Sequence, residues 1–157
     1  MKKIYLTLAI VALSFGLGYA FSNIINYQSK SKMKKVTGIG GVFFKCKDPE
    51  KIKEWYNTHL GINSSKWGAN FEWRQEDDST KKGSTAWNPF PDKTKYFEPS
   101  EKDFMINYRV ENLESLVEQL QKDGVTVVDK IEDSPFGKFV HIMDVEGNKV
   151  ELWEPKD

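Results

Sequence analysis

Several things are missing from this chain, and each absence removes a chemistry. Cys46 is the only cysteine, so there is no internal disulfide and no thiolate cluster for zinc or iron–sulfur. The redox compartment stays open on that count. No glycine-rich loop leads from a strand into a helix, which removes a nucleotide-phosphate cradle. There is no basic stripe either. From residue 33 onward 19 Lys and Arg stand against 23 Asp and Glu, a mildly acidic balance without the electrostatic footprint of nucleic-acid binding. Before residue 33 acidic residues are absent altogether, and Lys2, Lys3, Lys30 and Lys32 are the only charges.

What is present is apolar and aromatic. Of 157 residues, 39% are hydrophobic and 13% aromatic, enough for a core and a length that suits one domain behind a leader. The leader is the uncharged, mostly apolar run of residues 4–21, close to the roughly 20 residues that span a bilayer. It reads either as a signal anchor or as a signal peptide cut before Phe21, with small Gly18 and Ala20 placed for cleavage. No cysteine follows it directly, so a lipoprotein anchor is excluded. Residues 1–32 are therefore expected to form one N-terminal hydrophobic helix and a linker. The domain, residues 33–157, is then membrane-anchored or exported to the cell envelope. Lys30, Lys32, Lys34 and Lys35 outnumber Lys2 and Lys3, so the positive-inside rule leaves the side of the membrane open.

Within the domain, residues 36–46 are β-branched and aromatic behind Gly38, Gly40 and Gly41, and read as a strand. Alternation with Val42 and Phe44 puts Cys46 on the helix-packed face, as a buried thiol. Asp48-Pro49-Glu50 supplies a cap, a first-turn proline and a first-turn acid. The helix that follows places Ile52, Trp55, Tyr56 and Leu60 at helical spacing and stops at Gly61. Residues 67–75 and 84–90 read as a hairpin with a polar loop, and Pro91 and Pro99 mark residues 90–101 as a linker between modules. The order then repeats: strand 104–110, helix 112–123 with Leu113, Leu116, Val117 and Leu120 inward, a stop at Gly124, strand 125–131, and a hairpin over 138–153. Phe43-Phe44-Lys45-Cys46 falls on Asn107-Tyr108-Arg109-Val110, and Thr85-Ala86-Trp87-Asn88-Pro89 falls on Glu151-Leu152-Trp153-Glu154-Pro155. A spacing this long suits a duplicated module, not a solenoid of short repeats. The expected fold is α+β: two βαβββ modules, residues 34–92 and 102–157.

Gly38-Ile39-Gly40-Gly41-Val42 leading to Lys47-Asp48-Pro49, the helix end at Leu60-Gly61, and Asp144-Val145-Glu146-Gly147-Asn148 leading to Glu151-Leu152-Trp153-Glu154-Pro155 carry a resemblance. In this order and spacing they resemble the vicinal oxygen chelate superfamily of glyoxalases, bleomycin-resistance proteins and extradiol dioxygenases. The resemblance implies a curved mixed sheet around a small-molecule cavity, with helices on the convex side. It also implies four metal-ligand positions, which fall on Gly41, about Thr85, Met105 and Glu151. Only Glu151 suits a hard divalent ion, since glycine has no side chain and a thioether prefers soft metals.

The last hairpin can be registered from its letters. A turn with Gly147 in the left-handed position pairs Asp144 with Asn148, so His141 faces Glu151 and Phe139 faces Trp153. Val140, Ile142, Val150 and Leu152 then share the other face, as packing under a helix requires. His141 and Glu151 are the candidate catalytic pair, with Glu151 also the candidate metal ligand. Met105, Asn107 and Arg109 would share the cavity face of their strand. Trp73, Trp87, Phe139 and Trp153 are the candidate aromatic walls. Arg109 could clamp a carboxylate or pair with an acid of the fold. Two functions follow: a protein binding a small organic ligand in an aromatic-lined cavity without the full metal site, or an enzyme. The enzyme would be a lactoylglutathione-lyase-like or dioxygenase-like protein with an altered metal set. A third is an interaction module whose cavity is filled by its own side chains. A divalent metal and a homodimer are both compatible with these readings, and nucleic acid is not a partner.

Overall fold

The structure, a computed structural model, describes residues 36–76 and 78–156. The apolar leader lies outside the described residues, as do residues 33–35 of the expected domain. Among the described residues no helix is long and apolar enough to cross a membrane. In chain order the elements are β1 (Val36–Cys46), α1 (Pro49–Leu60), β2 (Ala69–Arg74), β3 (Lys82–Pro91), β4 (Phe104–Val110), α2 (Leu113–Lys122), β5 (Glu132–Ser134), β6 (Gly137–Met143) and β7 (Lys149–Pro155). The strands make one mixed, curved sheet in the order β2-β3-β1-β4-β7-β6-β5. Each module's first strand lies parallel to its last, β1 with β3 and β4 with β7. The modules meet where β1 runs antiparallel to β4.

Helix α1 forms as its sequence dictates. The Asp48 carboxylate accepts the Lys51 N–H at 3.0 Å, Pro49 opens the first turn, and Gly61 closes the helix at φ 68°. Helix α2 forms within the expected residues 112–123, but the residue that precedes it does not cap it. Asn112 sits in the left-handed region, φ 54°, and its side chain makes no capping bond. Glu154 of β7 takes over: its two carboxylate oxygens accept the N–H groups of Asn112 and Leu113 at 3.0 and 3.1 Å. A carboxylate there also meets the positive end of the helix dipole. Val110, Leu113, Leu116, Val117, Val140 and Leu152 form the buried core between α2 and the sheet, with the predicted aliphatic face of the last hairpin inside it.

Two expected strands differ. Residues 125–131 hold only an isolated bridge between Val127 and Ile142, and the strand is the three-residue β5 that follows. The reason is local. Asp129 turns its carboxylate inward and accepts the His141 N–H at 2.9 Å, replacing a ladder carbonyl with a side chain. In the first module the stretch between α1 and β2 carries only the bridge Ser65 to Gly68, so that module is βαββ while the second is βαβββ.

Replacing Glu154 with alanine is expected to lower stability by about 1 kcal/mol, the usual worth of a helix cap. Urea denaturation of Glu154→Ala beside the native chain measures it.

Candidate functional site

The concave face is the one opposite α1 and α2. Strand alternation puts Asn107, His141 and Glu151 on it, and the observed register is the expected one: His141 opposite Glu151, Phe139 opposite Trp153, Met143 opposite Lys149. The turn that sets it is held by Asp144 and Asn148 at 3.0 Å with Gly147 at φ 76°.

Glu151 is the centre of a buried polar network. It is 2% exposed. One carboxylate oxygen accepts Asn107 Nδ2 at 2.6 Å, and the other accepts the Tyr96 hydroxyl and His141 Nε2, the latter at 2.9 Å. His141 Nδ1 lies 2.6 Å from Asp129. Both ring nitrogens thus meet carboxylates, which accept and do not donate, so the ring is an imidazolium. Burial opposes that charge, but the hydrogen bonds to Glu151 and Asp129 outweigh it and raise the His141 pKa above its ordinary 6.5. Burial likewise works against the Glu151 carboxylate, and the bonds from His141, Tyr96 and Asn107 overcome it and hold its pKa below normal. Burial and the adjacent Glu151 charge push the Tyr96 hydroxyl well up, which keeps it a donor. Lys149 Nζ donates to the Tyr96 carbonyl at 2.7 Å and lies over its ring. The buried Glu151 and the half-exposed Asp129 are thus balanced by an imidazolium and an ammonium.

Tyr96 and Asp129 were not legible as site residues. Tyr96 belongs to the proline-broken segment read as a linker. That segment folds back across the concave face: Tyr96 stacks on Phe90 at 5.4 Å, and Phe97 is fully buried with Met105 and Phe43. Met105, expected on the cavity wall, is thus core. Trp73 and Trp87 are also displaced from the expected site. Trp87 packs between Phe44 and Tyr56 under α1, and Trp73, paired with Gly83, shares that face by alternation and donates to Thr85 at 2.9 Å. The error is one residue. The matched Trp-x-Pro letters equate Trp87 with Trp153, but Ala86, not Thr85, stands beside Gly41 as Glu151 stands beside Asn107. The aromatic-lined cavity is in consequence filled where it was expected.

The concave face stays open at its other end. A cavity of about 230 Å³ is lined by Asn70, Glu72, Lys82, Ser84, Arg109 and Trp153. Trp153 is stacked on Phe139, 6.1 Å between centroids. Arg109 donates to the Thr37 hydroxyl at 3.0 Å. By strand alternation Asn107, Arg109, Phe139 and Trp153 share the concave face, and of these Arg109 and Trp153 line this cavity. Cys46, expected buried, is only partly so.

A family profile matches residues 38–152, that of the glyoxalase/bleomycin resistance protein/dioxygenase superfamily. The chain belongs to this superfamily. Solved structures agree in fold. Methylmalonyl-CoA epimerase from Mycobacterium tuberculosis is 20% identical, with a TM-score of 0.53, 78% of this chain and 90% of that one covered. A variant of the Streptomyces coelicolor methylmalonyl-CoA epimerase, in complex with 2-nitronate-propionyl-CoA, is 15% identical, with a TM-score of 0.58 and coverage of 78% and 99%. No curated protein matches the sequence.

Superfamily members often hold a divalent metal in this region of the fold, and the residues of this chain do not fit one. Met105 is packed in an apolar cluster, the Thr85 hydroxyl donates to the Ile39 carbonyl away from Glu151, and a Cβ on Gly41 would meet the Phe43 ring at 2.6 Å. Glu151 already accepts three donors. Among the described residues no three His, Cys, Asp or Glu side chains are grouped to hold a metal.

The network carries a pH signature. The stabilisation from His141 is fully present below its ordinary 6.5 and disappears as pH rises through the higher folded value. That from Glu151 is present above its ordinary 4.5 and disappears as pH falls through the lower folded value. Thermal melts across pH should show stability falling as pH rises above 6.5, a slope that His141→Gln removes. Tyr96→Phe deletes a bond to a buried carboxylate and should cost about 1.5–3 kcal/mol in denaturant unfolding.

Proposed function

We propose that this protein binds a small polar organic molecule bearing an acceptor group, a carboxylate above all, in the cavity beside Arg109 and Trp153. In this reading the His141–Glu151 pair braces the sheet and performs no metal chemistry. The observation that carries it is the engagement of Glu151. Asn107, Tyr96 and His141 occupy three of the about four acceptor positions of its carboxylate, and a His141 that donates from both nitrogens is not a base. The cavity supplies the complementary chemistry: Lys82, which a ligand carboxylate would share with Glu72, and Arg109 beside Thr37 for an anion, Trp153 for a flat apolar surface, Asn70 and Ser84 for polar groups. Its size of about 230 Å³ lies below the roughly 300 Å³ at which drug-sized ligands begin, so the ligand is a fragment-sized acid or the head of a longer molecule reaching out to solvent.

The enzyme reading, a lyase, isomerase or dioxygenase built on Glu151 and His141 with an altered metal set, differs in what it requires. It needs Glu151 released from Tyr96 and an ion in its place. The epimerases of similar fold act on methylmalonyl-CoA by name, and their thioester belongs in the probe set for that reason alone.

Two measurements on the full chain separate the readings. Tryptophan fluorescence titrated with a panel of small aliphatic and aromatic carboxylates is expected to saturate, with Trp153→Phe abolishing the change and Lys82→Met weakening binding roughly tenfold, about 1.4 kcal/mol. Metal analysis after dialysis against Zn²⁺, Mn²⁺ or Ni²⁺ is expected to leave the protein without a stoichiometric ion. One equivalent of metal, lost in Glu151→Ala, overturns the binding-only reading.

A further inference from the structure

The two ends of the sheet are finished differently. The β5 end is three residues long and acidic, with Asp133 held by Lys156 at 2.6 Å, the kind of short, charged edge that discourages pairing. The β2 end is a six-residue strand, Ala-Asn-Phe-Glu-Trp-Arg, and among the described residues nothing pairs with its outer side. This is also the module that lacks a fourth strand.

The outward backbone groups can be assigned. The Gln75 N–H donates to the Lys81 carbonyl at 3.1 Å in the register that pairs Arg74 with Lys82. Gln75, Trp73 and Phe71 are therefore the residues that bond to β3. Asn70, Glu72 and Arg74 turn their N–H and C=O groups outward.

We propose that this edge is a dimer interface occupied by β2 of a second copy, antiparallel about a two-fold axis at Trp73. Charge decides the register. With the axis at Trp73, Glu72 falls opposite the partner's Arg74 and Arg74 opposite the partner's Glu72, two cross-strand ion pairs in hydrogen-bonded positions. With the axis at Glu72 or at Arg74, like charges face each other. With the axis at Phe71, no oppositely charged residues of β2 meet. The Trp73 register also places the two Trp73 side chains at the close, non-hydrogen-bonded spacing. It brings half-exposed Phe71 beside the partner's Gln75. The surface is isologous and closes on itself, so pairing ends at two copies. Glu72 keeps its contact with Lys82, because a carboxylate accepts more than one donor.

The test is the mass of the full chain in a mild detergent, by light scattering or sedimentation, with charge reversals at the edge. The native protein should be a dimer. E72R and R74E should each halve the mass, since each sets like charges face to face. Mixing the two single variants should restore the dimer as a heterodimer, because the E72R edge carries two cations and the R74E edge two anions, and each cation then lies opposite an anion. The E72R/R74E double variant should dimerise alone. A monomeric native chain overturns the proposal. So does a dimer that survives either reversal, which would place the contact elsewhere, the apolar leader included, and so does a mixture that stays monomeric.

Discussion

The concave side of the domain depends on the ionised carboxylate of Glu151. It lies in the middle of the sheet, and its partners arrive from three other places: Asn107 from β4, His141 from β6, and Tyr96 from the segment between modules. Alone, a buried carboxylate would cost several kcal/mol and protonate instead. With a cation on one side and two neutral donors on the others it stays charged. The same charge orients everything around it, holding the imidazolium against Asp129 and the phenol against the sheet. Tyr96 in turn positions Phe97 in the apolar cluster with Met105 and Phe43. One ion thus joins a polar network to a hydrophobic plug.

How much of this was legible follows the chemistry of each segment. The last hairpin could be registered because its two faces differ sharply, aliphatic on one and polar on the other, so a slip of one residue would have buried charge. Strand β4 was legible for the same reason. The first-module hairpin alternates aromatics with Glu72 and Arg74 along a half-exposed edge, and such a pattern does not state which face is inward. Trp73 and Trp87, named as walls for their aromatic character, lie on the other face, and the letter match of Trp87 with Trp153 is out of register by one residue. Tyr96 and Asp129 were invisible for another reason. Their roles arise from contacts 55 and 12 residues away, and neither stands in a periodic segment that would reveal where it faces.

The superfamily fold therefore says more about shape than about chemistry. Two modules set side by side create a concave surface with a central position on each inner strand. In this chain those positions hold a glycine, an alanine, an asparagine and Glu151, and a folded-back segment covers the region. The open part of the surface has moved toward Arg109 and Trp153, where one tryptophan meets a lining that is otherwise polar and charged.

Strand order has a consequence for how the chain reaches this state. β7 is the last of the described elements in sequence, yet it lies between β4 and β6 in the sheet. A chain growing from its N-terminus can pair β1 with β3 and β4 early. The second half of the sheet, the Glu154 cap on α2 and the charge that seats Tyr96 must all wait for β7. Until then the apolar cluster around Phe97 has no fastening on its far side, and a nascent chain stopped short of residue 149 would expose it. Non-local parallel pairing of this kind is intrinsically slow, so closure of the concave face trails the synthesis of β7.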